Sequence, residues 1–347
     1  MKAAVLEEYG KITWKDVPDP ETKADEVLVR IKNASICGSD QHVFKGEFHP
    51  RTQTPFIPGH EFAGIVEEAG KDVEKIKRGD LVAIDPIIWC GKCEACKRGH
   101  YPACTSLKLI GIDMDGGFAE YISVPENMLF IVNPSVDPKY AALVEVLSIG
   151  FHATNRSGVK EDDSIVIWGA GKVGQSILQA VRLYSRNQIF MVDILDNRLK
   201  RAKMAYPDIE IINSLKTDPV DYIHSKTMGK GVDIAFEAVG HPAKVKNEIH
   251  PIRSCIRSIR GGGIICVLGL ADEPVPVIMK ELIWKEAKIV TSRVSHGEFS
   301  ECIENLEKGK LKPEALITAE MHASKAHEAF EMLEKDPENQ LKIILDL

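Results

Sequence analysis

The chain has 347 residues, 44% hydrophobic and 27% charged, with a formal charge of -7. That length fits two domains large enough to fold without staples, and no stretch approaches the ~20 apolar residues that span a bilayer. An acidic balance excludes the concentrated Lys and Arg of a nucleic-acid surface. The opening MKAAVLEEYGKITW carries acids and lacks a long apolar run, so the expected compartment is the cytoplasm and no membrane partner is expected. In that reducing setting the eight cysteines read as metal ligands and buried thiols, not as a disulfide framework.

Residues 1–150 alternate short apolar runs with Gly and Pro turns: EVLVRIKNA, FAGIVEEAG, DLVAIDPII and FAEYISV read as strands of an antiparallel, barrel-like unit. Residues 151–287 change to strand followed by helix: SIVIWGAG then KVGQSILQAVRLY, QIFMVDI then LDNRLKRAKMA, then VDIAFEAVG and GGGIICVLGL. This is the α/β pattern of a doubly wound parallel sheet. Residues 288–347 mix a strand, a helix from Phe299 to Glu307 and the strand LKIILDL, and are expected to return to the first domain.

Within the first region two groups of metal-ligand residues stand out. Cys90, Cys93, Cys96 and Cys104 have the spacing CxxCxxCx₇C, which lets four thiolates close a tetrahedral zinc site with no vacancy. Free surface thiols are the bland alternative, and they are a liability. A nucleic-acid zinc ribbon is another, but it separates two CxxC knuckles by ~15–20 residues. The second group is dispersed: Cys37 in CGSDQH, His60 and Glu61 in PGHE, and Glu145 in VEVLSIGFHA. An open, reactive metal site draws its ligands from scattered positions in this way.

The apolar strand IVIW runs into Gly169, Gly171 and Gly174 and then into a helix. These glycines serve, in turn, a tight turn, close approach of a pyrophosphate, and helix-to-strand packing. Lys172 and Val173 lie within the turn, and Val239 is the penultimate residue of the later segment VDIAFEAVG; all are expected at the cofactor. Asp193, 24 positions past Gly169, is placed to accept hydrogen bonds from an adenosine ribose and to repel a 2'-phosphate, which predicts NAD over NADP. Arg198 works against that preference, since a guanidinium tolerates the extra phosphate.

In order along the chain, CGSD, GHE, the cysteine lobe, GGFAEY at residues 116–121, the Glu145 segment and GAGKVG resemble the zinc-dependent medium-chain dehydrogenases almost end to end. The match is nearest to the sorbitol and other polyol dehydrogenases, with L-threonine dehydrogenase a neighbour. The resemblance implies a GroES-like β-barrel catalytic domain, a Rossmann NAD domain, two zinc ions per subunit and a homo-oligomer, tetramer or dimer. It implies a catalytic zinc on Cys37, His60 and a carboxylate from Glu61 or Glu145, with Asp40 supporting the histidine through its second ring nitrogen. Ser39 then begins a proton relay in which His42 is a later member; a local turn hydrogen bond and a packing role are their respective alternatives.

The expected reaction is NAD-dependent oxidation of a secondary alcohol of a polyol or sugar derivative. An amino alcohol such as L-threonine is the rival substrate, and a non-catalytic sensor of nucleotide and metal is the rival class. Arg293, in TSRVSHGEF, aligns with an arginine that reaches substrate hydroxyls; it could equally hold an anion or form a structural ion pair. Two departures bear on specificity. Val146 follows Glu145 where these relatives carry proline, and Val43 and Phe44 stand where polyol dehydrogenases often place a tyrosine.

Overall fold

Strand Glu26–Ser35 organises the first of two units in the computed structural model, which describes residues 1–240, 250–271, 274–275 and 277–347. That unit comprises Met1–Glu145 and Phe299–Leu347. Val27, Val29 and Ile31 are buried while the residues between them are half-buried, the period-two signature of a strand with one face on the core. Over Asn33, Ala34 and Ser35 the alternation stops and every residue is buried, so the strand dives inward just before Cys37.

Its antiparallel neighbours are Glu61–Ala69 on one side, with Ser35 opposite Glu61, and on the other Lys342–Asp346, with Ser35 opposite Ile344, and Tyr121–Pro125, with Arg30 opposite Tyr121. This register gathers three distant sequence positions at one end of the sheet. The ladder continues through Leu81–Ile84 to Leu129–Val132, and beyond Lys342–Asp346 to Ile317–His322, which is a parallel pair in an otherwise antiparallel array. Phe62, Phe118 and Phe330 fill the core beneath; burying each contributes ~1.5–3 kcal/mol before chain entropy is counted. Gly59 has φ +102° and a Cβ there would lie 2.3 Å from the Phe118 ring, so only glycine lets the chain turn into His60 above this core.

The second unit, Val146–Glu298, holds a six-stranded parallel sheet in the order Glu210–Asn213, Ile189–Asp193, Ile165–Trp168, Val232–Glu237, Ile259–Val267, Lys288–Thr291. Ile165 and Ile167 face one apolar cluster while Val166 and Trp168 face another, as required where helices cover both faces. The strand order reverses between Ile165–Trp168 and Val232–Glu237, the switch point beyond whose carboxyl ends such sheets bind ligands.

Two expected boundaries move. The first unit gives way to the second between Glu145 and Val146, inside helix Val144–Ser157, not at 150. The second unit runs to Glu298, not 287. Lys288–Thr291 pairs in parallel with Ile259–Val267, Ile289 opposite Ile265, so ladder hydrogen bonds hold to the parallel sheet a strand that the sequence assigned to the returning tail. Among the described residues no helix is long and apolar enough to cross a membrane.

Candidate active site

Cys37 caps the short helix Gly38–Phe44, and its N–H donates to Asp40 Oδ2 at 2.8 Å. The other oxygen of Asp40 lies 3.1 Å from His60 Nδ1, while His60 Nε2 lies 3.2 Å from Ser39 Oγ. One buried carboxylate therefore fixes both the loop that carries Cys37 and the ring of His60, leaving Nε2 to the side of the thiol and the hydroxyl. Cys37 Sγ, a His60 ring nitrogen and a Glu61 carboxylate oxygen all lie within 4.8 Å of one another. Cys37 and Ser39 are half-buried, whereas His60 and Glu61 are buried.

Two further buried side chains complete the pocket. Lys342 pairs with both oxygens of Glu61, and both side chains are fully buried. Glu145, in the first turn of helix Val144–Ser157, is 4% exposed and its Oε2 has no hydrogen-bond partner. Burial and the neighbouring Glu61 push the Glu145 carboxyl well above its usual range. Burial alone would discharge the His60 ring, yet Asp40 and Cys37 outweigh it and raise the pKa well above the ordinary value. For Cys37, burial raises the thiol, but Lys342, with help from His60, brings it below the usual value. A thiol, an imidazole, carboxylates and an orphaned buried oxygen form a donor set that suits zinc.

The cysteine lobe is a separate construction. The short ladder Ile87–Ile88 with Lys108–Leu109 clips its two ends together, and the sulfurs of Cys90, Cys93, Cys96 and Cys104 lie within 4.8 Å of one another. No disulfide joins them. Backbone amides donate to these sulfurs: Cys93 N–H to Cys90 Sγ at 3.3 Å, Cys90 N–H to Cys104 Sγ at 3.3 Å, and Ser106 N–H to Cys104 Sγ at 3.4 Å. The amides of Cys96 and Thr105 lower the Cys93 thiol to about 5, whereas burial and the adjoining thiols push Cys96 up to about 12. Such a set holds one thiolate readily, and four together require a cation.

In the second unit, a cavity of about 700 Å³ opens at the carboxyl ends of the strands and is lined by Gly169, Gly171, Asp193, Arg198 and Val239 among others. Gly169 has φ +100°, and a Cβ on Gly174 would lie 1.8 Å from Gly169 O. At Gly171, the N-cap of helix Lys172–Tyr184, a Cβ would meet nothing nearer than Arg198 at 3.7 Å. The turn thus needs glycine for packing at its ends and leaves room at its middle, which suits a pyrophosphate at a helix N-terminus. Lys172 and Val173 begin that helix and Gly174 is buried within it. Asp193 Oδ2 accepts from Ala170 N–H at 2.6 Å and Oδ1 from Leu195 N–H at 2.9 Å. The carboxylate therefore also braces the glycine turn, and keeps lone pairs for a ribose.

Residues 23–134 match the alcohol dehydrogenase GroES-like domain and residues 173–308 the zinc-binding dehydrogenase domain. The sorbitol dehydrogenase of Bacillus subtilis is 31% identical over 99% of this chain and 97% of its own length. This chain belongs to the zinc-dependent medium-chain dehydrogenase family. Solved members of like architecture include RspB of Escherichia coli CFT073, described as a short chain alcohol dehydrogenase and complexed with NADH, with TM-score 0.90 and 30% identity over 100% of this chain and 99% of that one. A zinc-binding dehydrogenase of Sinorhizobium meliloti bound to NADP has TM-score 0.90 and 27% identity over 100% of this chain and 99% of that one.

In this dehydrogenase Cys37, His60 and Glu61 converge, Ser39 and Asp40 lie within hydrogen-bond distance of His60, and Glu145 is buried within electrostatic reach of all three. His42 behaves differently: its Nδ1 pairs with Glu47 and its ring stacks on Phe48 at 5.9 Å. No hydrogen bond joins it to Ser39 among the described residues. Arg293 is exposed in the segment after strand Lys288–Thr291. Lys342 was missed by sequence reasoning, although a signal was present. In LKIILDL a single lysine sits inside a short apolar run, and a buried lysine demands an anion.

Proposed function

We propose that this dehydrogenase uses NAD to oxidise a secondary alcohol of a polyol or sugar derivative to the ketone, at a zinc held by Cys37, His60 and a carboxylate from Glu61 or Glu145. The observation that carries the reading is the approach of Cys37, His60 and Glu61 to within 4.8 Å, with the half-buried Ser39 beside His60. A zinc there would supply Lewis acidity to the alcohol oxygen, and the nicotinamide is the hydride acceptor.

The chain's own groups do the rest. Asp40 holds the His60 tautomer, so that Nε2 presents a lone pair to the cation. Ser39 Oγ, at the half-buried edge of the pocket, takes the proton released from the alcohol hydroxyl and passes it toward water as the carbinol hydride leaves; alcohol and NAD⁺ thus give ketone, NADH and one proton. His42 is available for that relay only through Glu47 or intervening water. Asp193 favours NAD by facing the ribose with negative charge, and Arg198 tempers the preference.

Production of NADH from a panel of polyols, sugar acids, sugar phosphates and threonine tests the substrate class. Turnover of threonine alone would replace the polyol reading with the amino-alcohol one. Cys37→Ser should abolish turnover and remove one of two zinc ions per chain while NAD binding persists; full activity with both ions retained would refute the ligand assignment.

A further inference from the structure

Two buried nitrogens in the cavity of the second unit serve no step above. Trp168, at the end of strand Ile165–Trp168, and His250 both line that cavity. Trp168 is 5% exposed, and its Nε1 has no hydrogen-bond partner among the described residues. His250 Nε2 is buried and has none either. Buried polar atoms are rarely left so, and two of them in one cavity point to a ligand that brings acceptors.

The state of the His250 ring is set by its own helix. His250 is the N-cap of helix Pro251–Ser258, and its Nδ1 accepts the Ile252 N–H at 3.3 Å. A ring nitrogen that accepts carries no proton, so the proton of the neutral imidazole sits on Nε2 and makes it a donor. Burial lowers the pKa of this ring, against a weaker opposite pull from Glu237. Around the donor the walls are largely apolar. Trp168, Val192 and Val220 belong to one buried cluster and, with Pro219 and Pro251, line the cavity. Neutral donors set among apolar walls suit a flat heteroaromatic ring with lone pairs in its plane.

On the reading of Asp193 as the ribose contact, the base joined to that ribose occupies the rest of the cavity. Asp193 ends the second strand in sheet order, whereas helix Pro251–Ser258 packs against strand Val232–Glu237, the fourth. Two interstrand spacings, roughly 10 Å, separate those strands. The His250 donor therefore meets the edge of the base remote from the ribose. On adenine the acceptor at that edge is N1.

We propose that His250 is a specificity-determining residue for the cofactor: its Nε2–H donates to N1 of adenine, and so selects an adenine dinucleotide over one whose N1 carries hydrogen. This rests on the reading of the cavity as the dinucleotide site. Its content beyond that reading is the side chain that recognises the base.

The test titrates the full-length protein with NADH, with reduced nicotinamide hypoxanthine dinucleotide and with reduced nicotinamide mononucleotide, following the nicotinamide fluorescence. Hypoxanthine carries hydrogen on N1 and sets donor against donor; the mononucleotide lacks the adenosine altogether. The wild type should bind NADH about fivefold tighter than the hypoxanthine dinucleotide, the worth of one neutral hydrogen bond. His250→Asn keeps an acceptor for the helix cap, but its side chain is too short to bring a donor to the base. It should bind the two dinucleotides alike, through a loss confined to NADH, and bind the mononucleotide as the wild type does. His250→Gln carries an amide N–H to about the place of Nε2 and should keep the preference for adenine.

Three outcomes overturn the proposal: equal binding of the two dinucleotides by the wild type, a preference for adenine that survives in His250→Asn, or an equal loss for all three ligands in that variant, which would make His250 a helix cap and no more. Because the ratio between the dinucleotides is read within one protein, a partly folded fraction cancels from it. A wild-type protein that binds no NADH would sink the dinucleotide reading itself, which is a different failure.

Discussion

Asp40 is shared between two ligand-bearing segments: Oδ1 lies 3.1 Å from His60 Nδ1 and Oδ2 accepts the Cys37 N–H at 2.8 Å. Carboxylate is the one side-chain group that can accept at both ends. In Asp40→Asn one end becomes an NH₂ that must face either an N–H or a protonated ring nitrogen, so one of the two bonds is lost. Metal affinity at the Cys37 site is expected to drop by about 10–100-fold, the usual cost of removing a group that orients a metal-bound histidine. Chelator competition measures it, and the ion in the cysteine lobe serves as an internal reference. An affinity within twofold of the wild type would remove Asp40 from the site.

For the cysteine lobe the expected consequence of losing a ligand is local. The ladder Ile87–Ile88 with Lys108–Leu109 separates the lobe from the main sheet, while no disulfide joins its four sulfurs, which a bound zinc would hold together. Cys104→Ser should release one zinc per chain, expose residues 89–107 to proteases and lower the melting temperature. The Cys37 site should keep its own ion. Resistance to proteolysis equal to that of the wild type, with one ion gone, would show that the lobe folds without metal.

The gathering of the four lobe cysteines, of Cys37 with His60 and Glu61, and of the glycine turn was legible in the sequence, because each depends on residues close together or on residue types with few other uses. CxxCxxCx₇C and the strand-glycine-helix pattern carry their geometry locally. The pairing of Glu61 with Lys342 joins positions 281 apart, and only the register of Glu26–Ser35 against two neighbours creates it. Lys288–Thr291 was assigned to the wrong side of the boundary for the same reason, since strand partners are not encoded in a four-residue apolar run. His42 shows the converse: the family resemblance suggested a place in the relay, but its Nδ1 pairs with Glu47. The dual role proposed for Asp193 was half visible. Its position suggested the ribose contact, whereas the Ala170 amide at 2.6 Å required the folded turn.

That dual role shapes what substitution does to cofactor choice. Asp193→Ala removes the negative charge that opposes a 2'-phosphate, and also the acceptor that orders Ala170 and Leu195. KM for both cofactors should therefore rise. The ratio of kcat/KM for NADP to that for NAD isolates the charge, and it should rise by ~10-fold or more, a difference of about 1.4 kcal/mol in binding the two transition states. Arg198 lines the same cavity and becomes the dominant nearby charge once the aspartate is gone. A ratio unchanged in steady-state kinetics would mean that Asp193 acts on loop order alone.

A pH effect on stability follows from Asp233, in strand Val232–Glu237, which binds Ser164 just before strand Ile165–Trp168 and Arg260 in strand Ile259–Val267. Its Oδ2 accepts from the Ser164 amide at 2.8 Å and hydroxyl at 2.7 Å, and Oδ1 from Arg260 Nε at 2.6 Å. Burial would raise its pKa, but the Ser164 and Arg260 contacts outweigh burial and hold it below the ordinary aspartate value. A depressed folded pKa means that, near and below the unfolded value of ~3.9, the unfolded chain binds more protons than the native one. The stabilisation is therefore fully present above that pH and is lost as pH falls through the folded pKa. Asp233→Asn cannot show this dependence, so the melting temperature of the wild type should exceed that of the variant by a constant margin at neutral pH. The margin should narrow on acidification below about pH 4. Thermal melts of both proteins across that range decide the matter, with zinc release monitored so that metal loss, common to the pair, cancels in the difference. A margin that widens in acid would carry the opposite sign and assign Asp233 a carboxyl that is easier, not harder, to protonate in the folded state.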